Sequence, residues 1–245
     1  MKFSIVTPVL NGQKYIERTI SSVVSQNYKN FEYIIIDGVS SDDTIKIIEK
    51  YTHLPFIKVI SEKDKGQADA LNKGFSLATG DVLFWLNYDD FFVDENILFK
   101  INNLFESHNY DFIYGNDILV NEVGEYIKER SFIGMNTMKL VYVNSLSQPT
   151  CFFKKNLFER YKLNTDLNYS MDLDLWIHFM QDNSIKMHHA NWVVSCNRIH
   201  KERKMVKFES KARSEALKVR LAVYGDNKLY YYIKSYYFRL VNFFL

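Results

Sequence analysis

The feature that most constrains this chain is an apolar segment that ends in two adjacent carboxylates. Residues 81–86 read D-V-L-F-W-L, and Asn87, Tyr88, Asp89 and Asp90 follow directly. An apolar run of this length is typical of a central parallel strand that is covered on both faces. At the carboxyl end of such a strand, open α/β sheets have the crevice in which they bind ligands. The segment therefore predicts an α/β fold and places both carboxylates beside a ligand site.

The two carboxylates have two explanations at this stage. Carboxylate oxygens suit Mg²⁺ and Mn²⁺, above all when the ion is shared with substrate phosphates. Asp is also a leading residue at helix N-termini, so Asp89 and Asp90 could simply cap the next helix. The segment by itself favours neither explanation, and other parts of the chain have to decide between them.

The composition is that of one large α/β domain, or of one domain with an appendage. Of the 245 residues, 47% are hydrophobic, which supplies a sizeable core and argues against global disorder. Cys151 and Cys196 have no metal or redox spacing and fit buried packing in a reducing cytosol. The apolar stretch 3–10 is too short for a signal peptide, and no uncharged apolar stretch reaches the length of about 18 residues that spans a membrane. These features predict a cytoplasmic protein.

Hydrophobic spacing along the first third alternates between the periods of strands and helices. The predicted strands are 3–9, 31–36, 57–60 and 81–86, and the predicted helices between them are 15–26, 43–51 and 67–78. Beyond Asp90 the pattern predicts helices at 97–106, 172–181, 207–224 and 228–244, and strands at 112–114, 118–120, 126–130, 151–154 and 186–196. Strands that alternate with helices indicate right-handed crossovers and a mixed, mainly parallel sheet flanked by helices.

Two polar loops are expected side by side because they follow the first two strands. One begins at Thr7 and contains Pro8 and Asn11, and the other begins at Asp37. Short polar turns at neighbouring strand ends can form a floor for a base and a ribose. On these loops alone, turn chemistry explains Asp37-Gly38 better, since Asp-Gly is a strong turn signal. The chain has no G-x-x-x-x-G-K-[ST] or G-x-G-x-x-G sequence, which argues against a P-loop or dinucleotide site.

Five segments together resemble a known enzyme family. They are Thr7-Pro8, Asn11-Gly12, the Asp37 loop, Asp64 to Gly74 (D-K-G-Q-A-D-A-L-N-K-G) and Trp85 to Asp90. In this order and at this spacing they resemble the family 2 inverting glycosyltransferases of the GT-A fold, in particular bacterial enzymes that assemble O-antigen, capsule or other surface polysaccharides. The resemblance implies a Rossmann-like GT-A sheet, and it continues to about residue 204.

By this resemblance, the first half of the chain binds the donor. The residues implied to contact the nucleotide or the donor sugar are Thr7, Pro8, Asn11, Asp37, Asp64, Lys73, Asn87, Tyr88 and, near the end of the domain, Arg198. Asp89 corresponds to the last acid of the family's D-x-D metal motif, with Asp90 beside it, so the implied cofactor is Mg²⁺ or Mn²⁺. Asn87 stands where many members have the first acid of that motif, which removes one carboxylate contact to the metal.

A second matching segment, residues 169–176, contains the implied catalytic base. In the family this segment starts a helix under the acceptor site, and Asp172 occupies the position of the general base. Ser170 can cap the helix through its hydroxyl. The helix dipole stabilises carboxylates in the first turn, which suffices to explain Asp174. His178 stands where many relatives have Arg, so no contact is carried over to that position.

The last matching segment is Asn197-Arg198-Ile199-His200, followed by a basic run to Lys204. Similar enzymes have an Arg-x-His segment on a flexible loop that folds over the donor diphosphate. A neutral imidazole can ligate a metal, and a guanidinium can neutralise leaving phosphates. His200 is therefore a candidate metal ligand and Arg198 a candidate diphosphate contact, although a single His is often only a surface or core residue.

The matches divide the chain into a predicted catalytic domain and a tail. Residues 1–90 are the predicted nucleotide half, 91–204 the acceptor half and 205–245 a basic, aromatic, helical tail. From residue 198 onwards the chain has 12 Lys and Arg against 4 Asp and Glu. Aromatic residues alternating with cations suit the headgroup boundary of a membrane, but an aromatic helix packed on the domain or on a second subunit has the same pattern. A lipid-linked acceptor, implied by the resemblance, favours the cytoplasmic face of the inner membrane for residues 207–245.

The sequence thus predicts a metal-dependent inverting glycosyltransferase that moves a sugar from a nucleotide-sugar donor to a hydroxyl of a glycan or lipid-linked acceptor. No nucleic-acid partner is expected, and the oligomeric state is left open. A nucleotidyltransferase would also use metal carboxylates, but it usually needs a cationic glycine loop after strand one, where this chain offers only Lys14. A non-catalytic sugar- or lipid-binding module is the other alternative, and the presence of both Asp89 and Asp172 argues against it.

Overall fold

A curled mixed sheet forms the centre of the molecule. The computed structural model describes residues 1–142, 146–223, 229–233 and 235–236. The strands of these residues are β1 (Phe3–Val9), β2 (Phe31–Asp37), β3 (Ile57–Ser61), β4 (Val82–Trp85), β5 (Phe91–Phe92), β6 (Phe112–Val120), β7 (Tyr126–Arg130), β8 (Cys151–Lys154) and β9 (Met187–Arg198). Their order in the sheet is β3-β2-β1-β4-β8-β6-β9-β5, and β7 pairs with β6. Pairing is parallel from β3 to β4 and between β6 and β9, whereas β8 joins β4 and β6 in antiparallel pairing.

Helices connect the strands and cover the sheet, which confirms the predicted α/β class. Up to residue 222, the helices of the described residues are α1 (Ile16–Val24), α2 (Thr44–Glu49), α3 (Gln67–Leu77), α4 (Ile97–Ser107), α5 (Thr137–Tyr142), α6 (Lys155–Arg160), α7 (Met171–Gln181), α8 (Lys204–Lys207) and α9 (Glu209–Ala222), with a short 3₁₀ helix at Gln148–Thr150. The bounds of α1, α3, α4 and α7 lie close to those that the hydrophobic spacing predicts.

The sheet is buried on both faces, which explains the continuous apolar runs of its central strands. Successive residues of a strand point to opposite faces, so that Val6 enters the core beneath α3 and α7, whereas Ile5 enters the core beneath α1 and α4. Trp85 at the end of β4 stacks on Trp176 of α7 with ring centroids 5.4 Å apart. This contact joins the strand that carries the two carboxylates to the helix that carries the predicted base.

The loops after β1, β2 and β4 emerge at one edge of the sheet. Val9 is in register with Asp37, and Val6 is in register with Trp85. The backbone N–H of Gly38 donates to the carbonyl of Val9 at 2.9 Å. The predicted neighbourhood of the first two loops is therefore confirmed.

Several element boundaries differ from the prediction. The predicted strands 112–114 and 118–120 are one continuous strand, because the polar residues between them find partners inside the fold. Oδ1 of Asn116 lies 2.8 Å from Nε2 of His189, and buried Asp117 is paired with Arg130. The helices α5 and α6 lie in segments without a predicted element, since each is too short to show several helical periods.

The C-terminal region also differs from the prediction. The predicted helix 207–224 corresponds to α9, which begins two residues later, and the short helix α8 precedes it; Phe208 separates the two because its φ of −125° is not helical. Most of the predicted helix 228–244 lies outside the described residues. The parts of it that the structure describes, residues 229–233 and 235–236, are helical. In the portion of the chain that the structure describes, no helix combines the length and the apolar character that crossing a membrane requires.

Candidate active site

The loops that follow β1 and β2 are held by side chains that were predicted to contact a nucleotide. Asp37 is fully buried, and its Oδ2 accepts hydrogen bonds from the N–H groups of Val39 and Ser40 at 3.1 Å each and from the hydroxyl of Ser61 at 2.6 Å. The buried hydroxyl of Thr7 donates to the carbonyl of Leu86 at 2.8 Å. Both side chains hold the floor of the crevice together, and a direct nucleotide contact by either stays a prediction.

Asn11 and Tyr88 shape the same edge. Asn11 has a φ of +55°, and its Oδ1 accepts from the N–H of Ser41 at 2.9 Å, which ties the first loop to the second. A Cβ at Gly12 would lie 2.7 Å from Cδ2 of Tyr88, so the close approach of the aromatic ring requires glycine. Pro8 lies within β1 and is buried. The exposed side chain of Asn11 is thus a polar group of this loop that a ligand can reach.

Asp64 and Lys73 border the crevice from the α3 side. Asp64 is half-buried beside the Asp37 loop, since a Cβ at Gly38 would lie 2.7 Å from its Oδ2. Lys73 Nζ lies 3.0 Å from Glu62 and 3.4 Å from Asp69, and the Glu62 carboxylate raises the pKa of Lys73. In this structure Lys73 is engaged by two carboxylates, and its predicted donor contact stays a prediction.

Asn87 is the centre of a chain of amides at the end of β4. Its Oδ1 accepts from Gln67 Nε2 at 2.8 Å, and its Nδ2 donates to Gln148 Oε1 at 2.8 Å and to Asp90 Oδ2 at 3.2 Å. Gln148 in turn donates to the carbonyl of Trp85 at 2.6 Å. An acid at position 87 would place a second carboxylate next to Asp90, whereas the amide supplies a donor to it. Asn87 therefore orients Asp90.

Asp90 is buried and anchors the carboxylate loop. Its Oδ1 accepts from the backbone N–H of Arg198 at 3.0 Å. Burial, with the neighbouring charge of Asp89, raises the pKa of Asp90 to about 7. The next helix begins at Ile97 with Asn96 before it, and β5 lies between the two segments. The capping explanation for the two carboxylates is therefore wrong.

Asp89 meets His200 across 111 residues of sequence. Oδ2 of Asp89 lies 2.9 Å from Nε2 of His200, and both side chains are almost withdrawn from solvent. The imidazole packs on Tyr15 with ring centroids 4.6 Å apart. The structure thus brings together two of the three residues that were predicted to bind a metal.

The donor set at this point fits a divalent ion only in part. Asp89 and His200 offer one carboxylate oxygen and one imidazole nitrogen, which suits an ion that takes its other ligands from phosphate oxygens and water. The oxygens of Asp90 are engaged by Arg198 and Asn87. Among the residues described, no group of three or more His, Cys, Asp or Glu side chains is arranged to hold a metal. An ion at this point would therefore depend on a bound diphosphate for its remaining ligands.

Arg198 lies inside the protein and holds the carboxylate loop. Its Nε donates to the carbonyl of Asp89 at 3.0 Å, and its Nη1 donates to the carbonyl of Glu122 at 2.7 Å. The guanidinium lies 4.9 Å from the ring centroid of Tyr15 and 5.2 Å from that of Phe91. This arrangement positions Asp89, and the predicted contact of Arg198 with a donor diphosphate stays a prediction.

Asp172 lies in the first turn of α7 with part of its side chain exposed. Desolvation raises the pKa of Asp172 to about 6. Hydrogen bonds from backbone N–H groups lower it, first that of Leu173 to Oδ1 at 2.8 Å; the charge of Arg203 lowers it less, and the charge of Glu215 raises it. Desolvation also raises the pKa of Asp174, and His178 opposes that effect. A carboxyl whose pKa lies near 6 is mostly ionised at neutral pH and is a stronger base than an ordinary Asp, as a general base requires.

Sequence reasoning missed Arg203. This half-buried residue is close enough to both Asp90 and Asp172 for its charge to lower the pKa of each. It lies just beyond the Arg-x-His segment, within a basic run in which the sequence gives no sign of which cation turns inward. Its effect on both carboxylates could be found only from the fold.

The start of α7 differs from the prediction in a second way. The hydroxyl of Ser170 makes no capping hydrogen bond, so the predicted cap is wrong. The N–H groups of the three residues before the helix, Asn168 to Ser170, donate to the carboxylate of Glu215 in α9, a residue that the sequence did not single out. Within the first turn, the N–H of Leu173 donates to Oδ1 of Asp172 at 2.8 Å.

Comparison with known proteins gives matches over most of the chain. The family model described as glycosyl transferase family 2 matches residues 4–171. An uncharacterized glycosyltransferase of Rickettsia typhi is 30% identical over 211 residues, which are 80% of this chain and 64% of that protein. The chain therefore spans less than two thirds of the length of this relative.

Two further proteins are similar over a comparable share of the chain. WfgD of Escherichia coli, a UDP-Glc:alpha-D-GlcNAc-diphosphoundecaprenol beta-1,3-glucosyltransferase, is 25% identical over 199 residues, or 80% of this chain and 76% of that protein. The solved structure of the mannosyltransferase PcManGT from Pyrobaculum calidifontis, in complex with GDP-Man and Mn²⁺, has a TM-score of 0.67 at 16% identity and covers 90% of this chain and 63% of that chain. At such an identity, the structural likeness shows a shared fold.

Proposed function

The chain belongs to glycosyl transferase family 2 and has the GT-A fold, and we propose that it transfers a sugar from a nucleotide-sugar donor to a hydroxyl group of an acceptor, with inversion at the anomeric carbon. The observation that carries the proposal is the position of Asp172. It lies on the helix that packs against β4, and its pKa is about 6. Arg203 connects it electrostatically to the carboxylate loop at the end of that strand.

On the donor side, the nucleotide would lie over the loops that follow β1 and β2. The exposed amide of Asn11 and the half-buried carboxylate of Asp64 are the polar groups at that edge that a base, ribose or sugar hydroxyl could reach. Asp89 and His200 would hold a divalent cation, Mg²⁺ or Mn²⁺, which neutralises charge on the leaving diphosphate when bound. The Mn²⁺ in the structure of the similar mannosyltransferase supports this choice of ion.

On the acceptor side, Asp172 would remove the proton from the attacking hydroxyl. A single displacement from the face opposite the diphosphate inverts the configuration, and it needs one base but no covalent intermediate. Arg203 would keep Asp172 ionised, since its charge lowers the pKa of that carboxyl. Arg203 is also the half-buried cation that we propose beside the leaving diphosphate, a role for which Arg198 has little freedom because it is held by two carbonyl groups.

The acceptor is proposed to be a glycan carried on a lipid diphosphate, used in surface polysaccharide synthesis such as that of O-antigen or capsule. The activity of WfgD, on a diphosphoundecaprenol-linked sugar, supports this class of acceptor. Such an acceptor would place the protein at the cytoplasmic face of the inner membrane. We propose that the chain divides accordingly into a nucleotide half (residues 1–90), an acceptor half (residues 91–204) and a tail from residue 205.

The tail has features expected for packing on the domain and features expected for contact with a membrane, which are both explanations that its sequence allowed. Tyr231 is buried and stacks on Tyr142 with ring centroids 5.5 Å apart, as expected for packing on the domain. On the same short helix, Leu229, Tyr232 and Ile233 are exposed. An aromatic and aliphatic face of this kind suits the headgroup region of a membrane. We propose that the tail packs on the domain through one face and contacts lipid through the other.

The test of the proposed function is release of nucleoside diphosphate. The full chain is incubated with UDP-, GDP-, ADP- and dTDP-sugars, Mn²⁺ or Mg²⁺, and polyprenyl-diphosphate-linked sugars as acceptors. Transfer with release of nucleoside diphosphate supports the proposal. Release of pyrophosphate from a nucleoside triphosphate would indicate a nucleotidyltransferase, and binding of donors without any release would indicate a non-catalytic module.

A further inference from the structure

Glu215 in α9 accepts hydrogen bonds from three consecutive backbone amides. Its Oε1 lies 2.6 Å from the N of Tyr169, 2.8 Å from that of Ser170 and 3.1 Å from that of Asn168, and its Oε2 lies 3.0 Å from the N of Asn168. These three residues directly precede α7, whose first turn contains Asp172.

The contact satisfies donors that lie just before α7. The N–H groups of Asn168 and Tyr169 precede the helix, and that of Ser170 belongs to its N-cap residue. Within the first turn, the N–H of Leu173 donates to Oδ1 of Asp172 at 2.8 Å. The carboxylate of Glu215 is a strong acceptor because its hydrogen bonds are charge-assisted. Glu215 therefore holds the segment that leads into α7 from another part of the chain.

Lys204 holds the same loop from a second direction. Its Nζ donates to the carbonyl of Asn168 at 3.1 Å and lies 5.6 Å from the ring centroid of Tyr169. Burial lowers the pKa of Lys204, and the charge of Glu215 partly offsets that effect. Residues 168–170 are thus fixed by two oppositely charged side chains that both lie beyond the last strand.

We propose that Glu215 is a positioning residue for the general base, so that the C-terminal helix α9 completes the catalytic site. The inference rests on the proposed function, in which Asp172 is that base. The direction of the Asp172 carboxylate depends on how the first turn of α7 is oriented, and Glu215 fixes the residues that enter this turn. Displacement of a reacting group by about 1 Å can cost about 100-fold in rate.

The charged and titratable groups near Asp172 predict a second effect of Glu215. Arg203 lowers the pKa of Asp172, and Glu215 raises it. The third neighbour, Cys151, is a buried thiol whose own pKa is raised well above its usual value by desolvation, so it stays neutral. Removing the charge of Glu215 therefore lowers the pKa of Asp172 and moves the acidic limb of the rate profile to lower pH.

The experiment compares three variants of the full chain. Glu215→Ala removes both the acceptor and the charge, Glu215→Gln keeps one acceptor oxygen without the charge, and Glu209→Ala is the control. Glu209 lies on the same helix, is exposed and pairs only with Arg213 among the described contacts. The readouts are kcat, the KM for the donor, the pH profile, and amide hydrogen exchange at residues 168–173.

Glu215→Ala is expected to lower kcat by about 10- to 100-fold with an unchanged donor KM and faster exchange at 168–173. Glu215→Gln should recover much of kcat and show the acidic limb at lower pH, and Glu209→Ala should match the wild type. Unchanged exchange at 168–173 in Glu215→Ala, or a kcat within about twofold of the wild type, overturns the inference. So does an equal loss of kcat and of nucleotide-binding stoichiometry, because that result indicates general unfolding.

Failure of the proposed function gives a different result. If the wild type releases no nucleoside diphosphate from any donor, the assignment of activity is wrong, whatever the variants do. If the wild type is active and Glu215→Ala is equally active, only the role of Glu215 is wrong.

Discussion

The loops after β1 and β2 are stabilised mainly within and between themselves, whereas the carboxylate loop after β4 and the start of α7 depend on residues that are far apart in the chain. Asp37 accepts from the N–H groups two and three residues after it. In contrast, Asp89 meets His200 across 111 residues, and Ser170 meets Glu215 across 45. The loops after β1 and β2 are joined by contacts within the first half of the chain, whereas Asp89 and the segment that leads into α7 are held by residues of the C-terminal region.

The largest effect is expected for Asp172→Asn, which distinguishes loss of turnover from loss of donor binding. Loss of the general base should lower kcat by about 10²- to 10⁴-fold. Donor affinity should stay the same, because only the transition state uses the proton transfer. The measurements are the rate of nucleoside diphosphate release and nucleotide binding by calorimetry. Asp174→Asn, in the same turn, is the control; near-normal turnover of Asp172→Asn with loss in Asp174→Asn would assign the base to Asp174.

Asp89→Ala should give the next largest effect, on the donor side. The variant removes the carboxylate that lies 2.9 Å from His200. Its affinity for nucleoside diphosphate in Mn²⁺ should fall at least about tenfold, to the value found in EDTA, a difference of about 1.4 kcal/mol or more. Asp166→Ala, at an exposed position, serves as the matched control. Retention of the metal-dependent affinity by Asp89→Ala would remove Asp89 from the metal site.

Arg203→Ala tests whether the charge of one cation acts on Asp172 as well as on the carboxylate loop. The rate should fall below about pH 6 in the wild type, because Asp172 must be ionised and its pKa is about 6. Arg203 lowers that pKa, so its removal should raise the pKa and move the acidic limb to higher pH. At pH 6 the loss of rate should be roughly two- to tenfold, and smaller at pH 8. Lys201→Ala, at an exposed neighbour, is the control, and an unshifted limb in Arg203→Ala would contradict the link.

The smallest effect is expected from truncation after Gly225. Loss of the contact between Tyr231 and Tyr142 should lower the free energy of unfolding by about 1 kcal/mol, with donor affinity unchanged. Co-sedimentation with anionic liposomes should also fall, since each Lys or Arg near the surface contributes roughly 1 kcal/mol. Equal sedimentation of the full and truncated chains would exclude the tail as a membrane contact.

The sheet and the donor-side loops were predictable because their signals are local. Strand β4 is recognised from its continuous apolar run, and the neighbourhood of the Asn11 and Asp37 loops follows from parallel pairing of consecutive strands. The resemblance to a family also grouped Asp89 with His200, and the structure places them in contact. Their role as metal ligands stays a prediction.

The acceptor-side arrangement was less predictable because its polar partners come from distant segments. Ser170 has the residue type of a helix cap, yet its hydroxyl makes no capping hydrogen bond, and its own N–H donates to Glu215. The basic segment 198–204 has several cations of similar appearance in the sequence. The structure buries Arg198 under the carboxylate loop, and it brings Arg203 near enough to Asp172 for its charge to lower the pKa of that carboxyl.

The sequence by itself determined the α/β class, the strand that carries the carboxylates and the family, since hydrophobic period and motif spacing are properties of short segments. Only the tertiary structure decided which charged side chains act on those carboxylates. The effect of a charge depends on how far it lies from its neighbours and how much water separates them. For Asp172, Arg203 and Glu215, the distances and the amount of water between the charges depend on how the chain beyond β9 packs against α7.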